Sequence, residues 1–241
     1  MNKYRSLLVN DIRHAVLDPV LMVGILAPLA LLLVSRFGFP PAAEWLQASY
    51  SFDIRGYSSV IAIFLVATIP MLTGMMTGLL MLDERDENMI SYYAVTPLMR
   101  RGYMVYRLLL PSLLCILFST LYLIFSGRSE LQGESIYVLV LLAVEAPLFA
   151  LFLAAFAANK VEGLALAKIS GLLIAGPVAV HFVPEPWQFL GAWLPTYWVA
   201  KVFFSIDTDG LLTTFLIFGV GLLFHGVLLR IMVNIFVKRT D

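Results

Sequence analysis

Six apolar runs, each long enough to cross a bilayer as a helix, constrain this chain more than any other feature. A helix needs about 20 predominantly apolar residues to cross the hydrocarbon core. The sequence supplies such runs at roughly 19–36, 57–82, 103–126, 136–158, 164–183 and 210–236. None of them alternates apolar with polar residues as barrel strands do, so the pattern predicts helices. Composition excludes a soluble fold. Of 241 residues, 61% are hydrophobic and 13% charged, against roughly half and a quarter in soluble domains. So few charges could not cover the surface of a soluble protein of this size. The expected fold class is all-α integral membrane, with a single transmembrane domain over residues 1–241.

The basic residues give the orientation. With the N-terminus in the cytoplasm, Lys3, Arg5, Arg13, Arg85, Arg100, Arg101, Arg107, Lys160, Lys168, Arg230, Lys238 and Arg239 lie at the inner side. Arg36, Arg55, Arg128 and Lys201 lie outside, a clear positive-inside bias. All four tryptophans (Trp45, Trp187, Trp193, Trp198) then fall on the outer side, where amphipathic rings suit the interface. Both termini are expected inside.

Residues 1–18 mix apolar Leu7, Leu8, Val9, Ile12, Val16 and Leu17 with basic and polar residues. This suits a helix lying in the cytoplasmic interface, or else a frayed tail. The stretch 37–56, with Pro40 and Pro41, is expected to form an outer capping loop. Gly74 and Gly78 in the second run would let another helix approach closely, although this spacing is common by chance in apolar sequence. Cys115, the only cysteine, excludes an intrachain disulfide and reads as a small packing residue. The segment 184–201 is aromatic, proline-punctuated and too short to cross. It is expected to form one or two short re-entrant helices, allowed only where protein covers the free backbone groups.

The longest polar interruption is 83–107. Asp83, Glu84, Arg85, Asp86 and Glu87 open it, and an amphipathic stretch follows with Met89, Ile90, Tyr92 and Tyr93. Thr96 precedes Pro97, which disfavours helix in the residue before it. Two readings fit: a solvated loop, or a short helix at the membrane surface with Asp83 as N-cap and acids in its first turn, where the helix dipole favours them. In the fourth run stands Glu145. An intramembrane acid is costly, and it marks either a function or a carboxyl bonded to a neighbouring helix. His225 in the last run is its nearest candidate partner by depth.

Several chemistries lack their residues. No G-x-x-x-x-G-K-[ST] phosphate loop is present, nor H-E-x-x-H, nor a dense metal-ligating group. His14, His181 and His225 are too far apart to serve a nucleophilic serine, so no catalytic residue is assigned. No extended basic groove argues for nucleic acid.

The polar interruption is also where a family resemblance lies. The run Leu80-Met81-Leu82-Asp83-Glu84-Arg85-Asp86-Glu87, then Val95-Thr96-Pro97-Leu98, then Tyr103 and Tyr106-Arg107, resembles the membrane subunit of ABC exporters of the ABC-2 type permease family. It is most similar to short bacterial permeases of the drug or fluoroquinolone export kind. The resemblance implies a permease in the bacterial inner membrane that pairs with a second copy, identical or related, and with a cytoplasmic ATPase. ATP and Mg would be bound by that partner, with no cofactor in this chain. It further implies that the helix after the second span docks on the ATPase, with Asp83, Glu84, Arg85, Glu87, Met89, Tyr92 and Tyr93 as contact residues. The cargo would be a drug, peptide or lipid-like amphiphile. Glu145 and His225 are placed beside its path by their positions inside the spans rather than by the resemblance, and Glu145 could attract a cationic amphiphile. Unlike the larger lipid and polysaccharide flippases of that family, this chain has short outer loops. A membrane immunity or sensor protein that binds a toxic peptide without moving it is the alternative.

Overall fold

In a computed structural model of the chain, residues 11, 18–94, 96, 99–127 and 133–240 are described, with the backbone alone at 20, 91, 94 and 240. Among the described residues there are ten α-helices and no strand. Six helical stretches are long and apolar enough to cross a membrane: Leu21–Tyr50, Ile54–Asp86, Met99–Phe125, Ser135–Phe156, Lys160–Phe182 and Leu211–Arg239. The expected interfacial helix over 1–18 lies almost wholly outside the described residues.

Helix α1 (Pro19–Leu33) begins on a proline, tolerated at a first helical position because its missing N–H would be unsatisfied there anyway. The chain does not leave the helix at residue 37. A π-helical turn, Val34–Gly38, leads directly into α2 (Phe39–Tyr50), and the Phe39 N–H bonds to the Val34 carbonyl. The expected outer loop is therefore largely helical. Pro40 and Pro41 fall in the first turn of α2, where the π turn has already interrupted the regular bonding, so their missing donors do not stop the helix. Ser51, in the left-handed region at φ 53°, ends it.

Helices α3 (Ser58–Asp86) and α6 (Ser135–Phe156) form the centre of the bundle. Gly74 and Gly78 bring them together. A Cβ on Gly74 would collide with the Ala146 carbonyl and lie 2.7 Å from Phe149 Cβ, and one on Gly78 would lie 2.8 Å from the Ala150 carbonyl. The two glycines are thus the contact face of the crossing, as small-residue interfaces in membranes require. Helix α5, Met99–Phe125, packs beside this pair, and its Cys115 is fully buried, donating to the Leu142 carbonyl of α6 at 3.3 Å. Exposed apolar side chains such as Leu113, Leu117, Leu223 and Val227 cover the outer faces, as a lipid-facing surface needs.

The fifth span is broken: α7 (Lys160–Ser170) passes through a 3-10 turn, Gly171–Ala175, into α8 (Gly176–Phe182). Loosened backbone groups there are met by Thr196, at the start of α9 (Pro195–Thr208). Its hydroxyl accepts from the Gly176 N–H at 3.2 Å and donates to the Leu173 carbonyl. This covering is the condition under which non-helical backbone persists away from water. Before α9 the chain makes one further 3-10 turn, Trp187–Gly191, and after it α10 (Leu211–Thr240) completes the bundle.

Candidate functional site

The second helix runs past its expected end. Asp83, Glu84 and Arg85 belong to the last turns of α3, so Asp83 is not the N-cap of a separate docking helix. Nothing from Leu82 to Asp86 is a helix breaker, and the break waits for Asn88, which takes φ 58°. Asparagine tolerates this left-handed conformation better than most residues. Beyond it lies the short helix α4, Met89–Ala94. Its Ile90 and Tyr93 are buried against Met81, Tyr103 and Phe236, with the Tyr93 and Tyr103 rings stacked at 5.5 Å. Tyr92 points the other way and is 61% exposed, and Glu87 is exposed beside it. Met89 is half-buried. Burial pushes the Tyr93 phenol above its ordinary 10.0, and the nearby Glu84 carboxylate pushes in the same direction.

The charges at this end are mostly spent on one another. Arg107, 1% exposed, sits at the centre. It donates Nη1 and Nη2 to the two Asp11 oxygens at 2.7 and 2.9 Å, and Nε to Glu84 Oε2 at 2.9 Å, with a further contact from Nη2 to Glu84 Oε1. Tyr103 donates to Glu84 at 2.8 Å and Tyr106 to Asp11 at 2.7 Å. Planar guanidinium suits such bidentate pairing, and buried carboxylates need it. Close by, the Lys160 ammonium bridges Asp18 and Asp83, both at 2.7 Å, and its backbone N–H bonds to Asp86. Arg85 caps the end of α6, donating to the Ala154 and Ala157 carbonyls at 3.0 and 2.6 Å, while Arg239 donates to Ala155 at 2.5 Å. Cations at a helix C-terminus meet both its free carbonyls and its dipole.

Of the residues assigned from sequence to partner contact, then, Glu87 and Tyr92 face outward. Glu84 and Tyr93 are buried, while Asp83 and Arg85 are committed to internal bonds. Sequence reasoning placed Arg107 among the inner cations and within the stretch that carries the resemblance, but gave it no structural role. The available signal was its spacing from Tyr103, four residues earlier and so on the same helix face.

Glu145 lies elsewhere, midway along α6. It is fully buried, and neither carboxyl oxygen has a hydrogen-bond partner. His225 is also fully buried; its Nδ1 is 2.7 Å from the Gly221 carbonyl and its Nε2 is unpartnered. The two side chains do not bond to each other, so the sequence-based pairing does not form. Glu145 instead lines a cavity of about 170 Å³ with Phe149, Phe152, Trp193, Leu228 and Met232 among its walls. No group of histidine, cysteine and acidic residues among those described could hold a metal.

Comparison with known proteins gives a consistent picture. The family described as "Fluoroquinolones export permease protein Rv2686c-like" matches residues 11–233. Two relatives from Mycobacterium tuberculosis are named fluoroquinolones export permease protein: MT2760 of strain CDC 1551 / Oshkosh, and Rv2686c of strain ATCC 25618 / H37Rv. Each is 29% identical over 214 residues, covering 87% of this chain and 85% of the relative. No solved structure matches.

Proposed function

This chain belongs to the Rv2686c-like family of fluoroquinolone export permeases, and from that premise we propose that it is the membrane half of an ATP-driven exporter whose ATPase is a separate chain. The proposed cargo is an amphiphilic drug of the kind for which its relatives are named, moved out of the cytoplasm or the inner leaflet. A second copy of the permease completes the passage, and both termini face the cytoplasm. ATP and Mg are bound on the partner alone.

The observation that carries this reading is the construction of α4. A helix of six residues has no stability of its own in water. Here it is fixed by Ile90 and Tyr93 in the core, and Tyr103 beneath it is bonded to the Glu84–Arg107–Asp11 cluster. A rigid attachment with an outward aromatic face is what a partner needs in order to push on the bundle. Closure of the ATPase would move α4 with the ends of α3 and α5 and shift one packed arrangement of spans to another. ATP must favour one of those arrangements over the other for the push to have an effect.

The test is copurification of an ATPase with the tagged permease from its host membrane. Tyr92→Ala together with Glu87→Arg should weaken the complex at least tenfold while the permease still inserts and folds. A complex of full strength would overturn the assignment of this face. Glu84 is unsuitable for the same experiment, because its replacement strikes the buried cluster first.

A further inference from the structure

We propose that the cavity beside Glu145 is a binding site for a small organic cation with an aromatic body, held through its ammonium by the Glu145 carboxyl. The inference rests on the export reading only in regarding this ligand as cargo. Three observations lead to it. Glu145 is fully buried, and both oxygens lack partners, although every other buried acid among the described residues is bonded. It is the one ionisable side chain in the lining of a cavity of about 170 Å³, large enough for a single ring. And the walls are apolar and aromatic, with Phe149, Phe152 and Trp193 alongside Leu228 and Met232.

A carboxyl with no partner is costly inside apolar surroundings. A bare cation would meet the same cost. Each supplies what the other lacks once the Glu145 carboxyl, whose oxygens are closed off from the cavity, turns toward the ligand, and the rings provide faces against which the ligand's own ring and ammonium can lie. His225 is not in that lining and retains its bond to the Gly221 carbonyl. An anionic ligand would find no donor to match it beyond the Trp193 indole. The chemistry therefore selects for positive charge. Entry is compatible with the fold, because the cavity is bounded by α10, whose outer face is exposed, and by the start of α9.

The experiment uses the full chain in lipid nanodiscs, with empty nanodiscs correcting for partition into lipid. Equilibrium dialysis compares 2-phenylethylamine, cationic near neutral pH, with 2-phenylethanol, its neutral counterpart of the same shape. Desolvated charge pairs are strong enough that the amine should bind about 30-fold or more tightly than the alcohol. In Glu145→Gln the amine should fall to the level of the alcohol, while alcohol binding stays unchanged. That unchanged alcohol binding shows that the cavity survives the substitution. Leu228→Trp, which fills the cavity without touching the charge, should remove both ligands. Equal binding of amine and alcohol to the natural chain would overturn the proposal, as would full amine binding by Glu145→Gln. No ATPase is present in this assay, so its result stands apart from the copurification that tests the exporter reading.

Discussion

Two buried acids in this protein have opposite surroundings. Glu84 is fixed by Arg107 and Tyr103, within a cluster that also takes in Asp11 and Tyr106. Glu145, buried more deeply still, has no hydrogen-bond partner. The first is architecture. Its carboxylate ties α3 to α5 and, through Arg107, to the segment containing Asp11, so it fixes the end of the bundle from which α4 projects. The second contributes nothing of that kind. A charge buried with all its partners organises the fold, whereas one buried without them leaves a demand that something outside the chain can meet.

The sharpest way to break that contrast is to remove the hub. Arg107→Met leaves two buried carboxylates without their cation, and a buried pair broken on one side typically costs about 3–5 kcal/mol. Thermal unfolding in nanodiscs should show a large drop in midpoint, and α4 should lose its fixed position. An unchanged midpoint would mean that the cluster is decorative. Next in size is Gly74→Val, which forces α3 away from α6 at the level of Ala146, next to Glu145. Overpacking of this sort costs about 1–3 kcal/mol, readable in the same measurement.

Glu145→Leu tests the other side of the contrast and should move the midpoint upward. Replacing an unsatisfied buried polar group by an apolar one recovers about 1–2 kcal/mol. A clear loss of stability would show that Glu145 is structural after all. The smallest effect is expected at a pair open to water on one side, the half-buried Lys201 with the exposed Glu185, whose oxygen lies 2.7 Å from the ammonium. The hydrogen bond from Lys201 holds the Glu185 carboxyl below its ordinary 4.5, and the charge of Lys201 adds to this. A carboxyl whose value is depressed on folding stabilises above its unfolded value and loses that contribution as pH falls through the folded one. Lys201→Gln should therefore leave stability at neutral pH nearly unchanged, and should reduce only the slope of stability against pH in the acid range at and below 4.5. A loss comparable to that of Arg107→Met would contradict the ranking of buried over exposed pairs.

Much of the bundle could be read directly from residue order. Long apolar runs must become helices in a bilayer, because no other unclosed element satisfies its own backbone there. Thus the six spans followed from the chain, as did the place of Glu145 within the fourth; its lack of a hydrogen-bond partner did not, because His225 was the partner expected. Local sequence also located the amphipathic stretch after Asn88. It misjudged where the preceding helix ends, since charged residues continue a helix as readily as they cap one. It also took the helical residues 39–50 for a loop, because Pro40 and Pro41 look like breakers unless a π turn precedes them.

What residue order determined was which segments avoid water; what tertiary structure alone decided was which charges remain unmatched once they do so. Asp83, Glu84, Arg85 and Glu87 are near neighbours in sequence, yet one faces outward and three are bound to residues 19 to 77 positions away on other segments. Hydrophobicity is a property of each residue by itself and so survives in a linear reading. Charge satisfaction belongs to pairs, and distant parts of the chain are paired only by the packing of the helices.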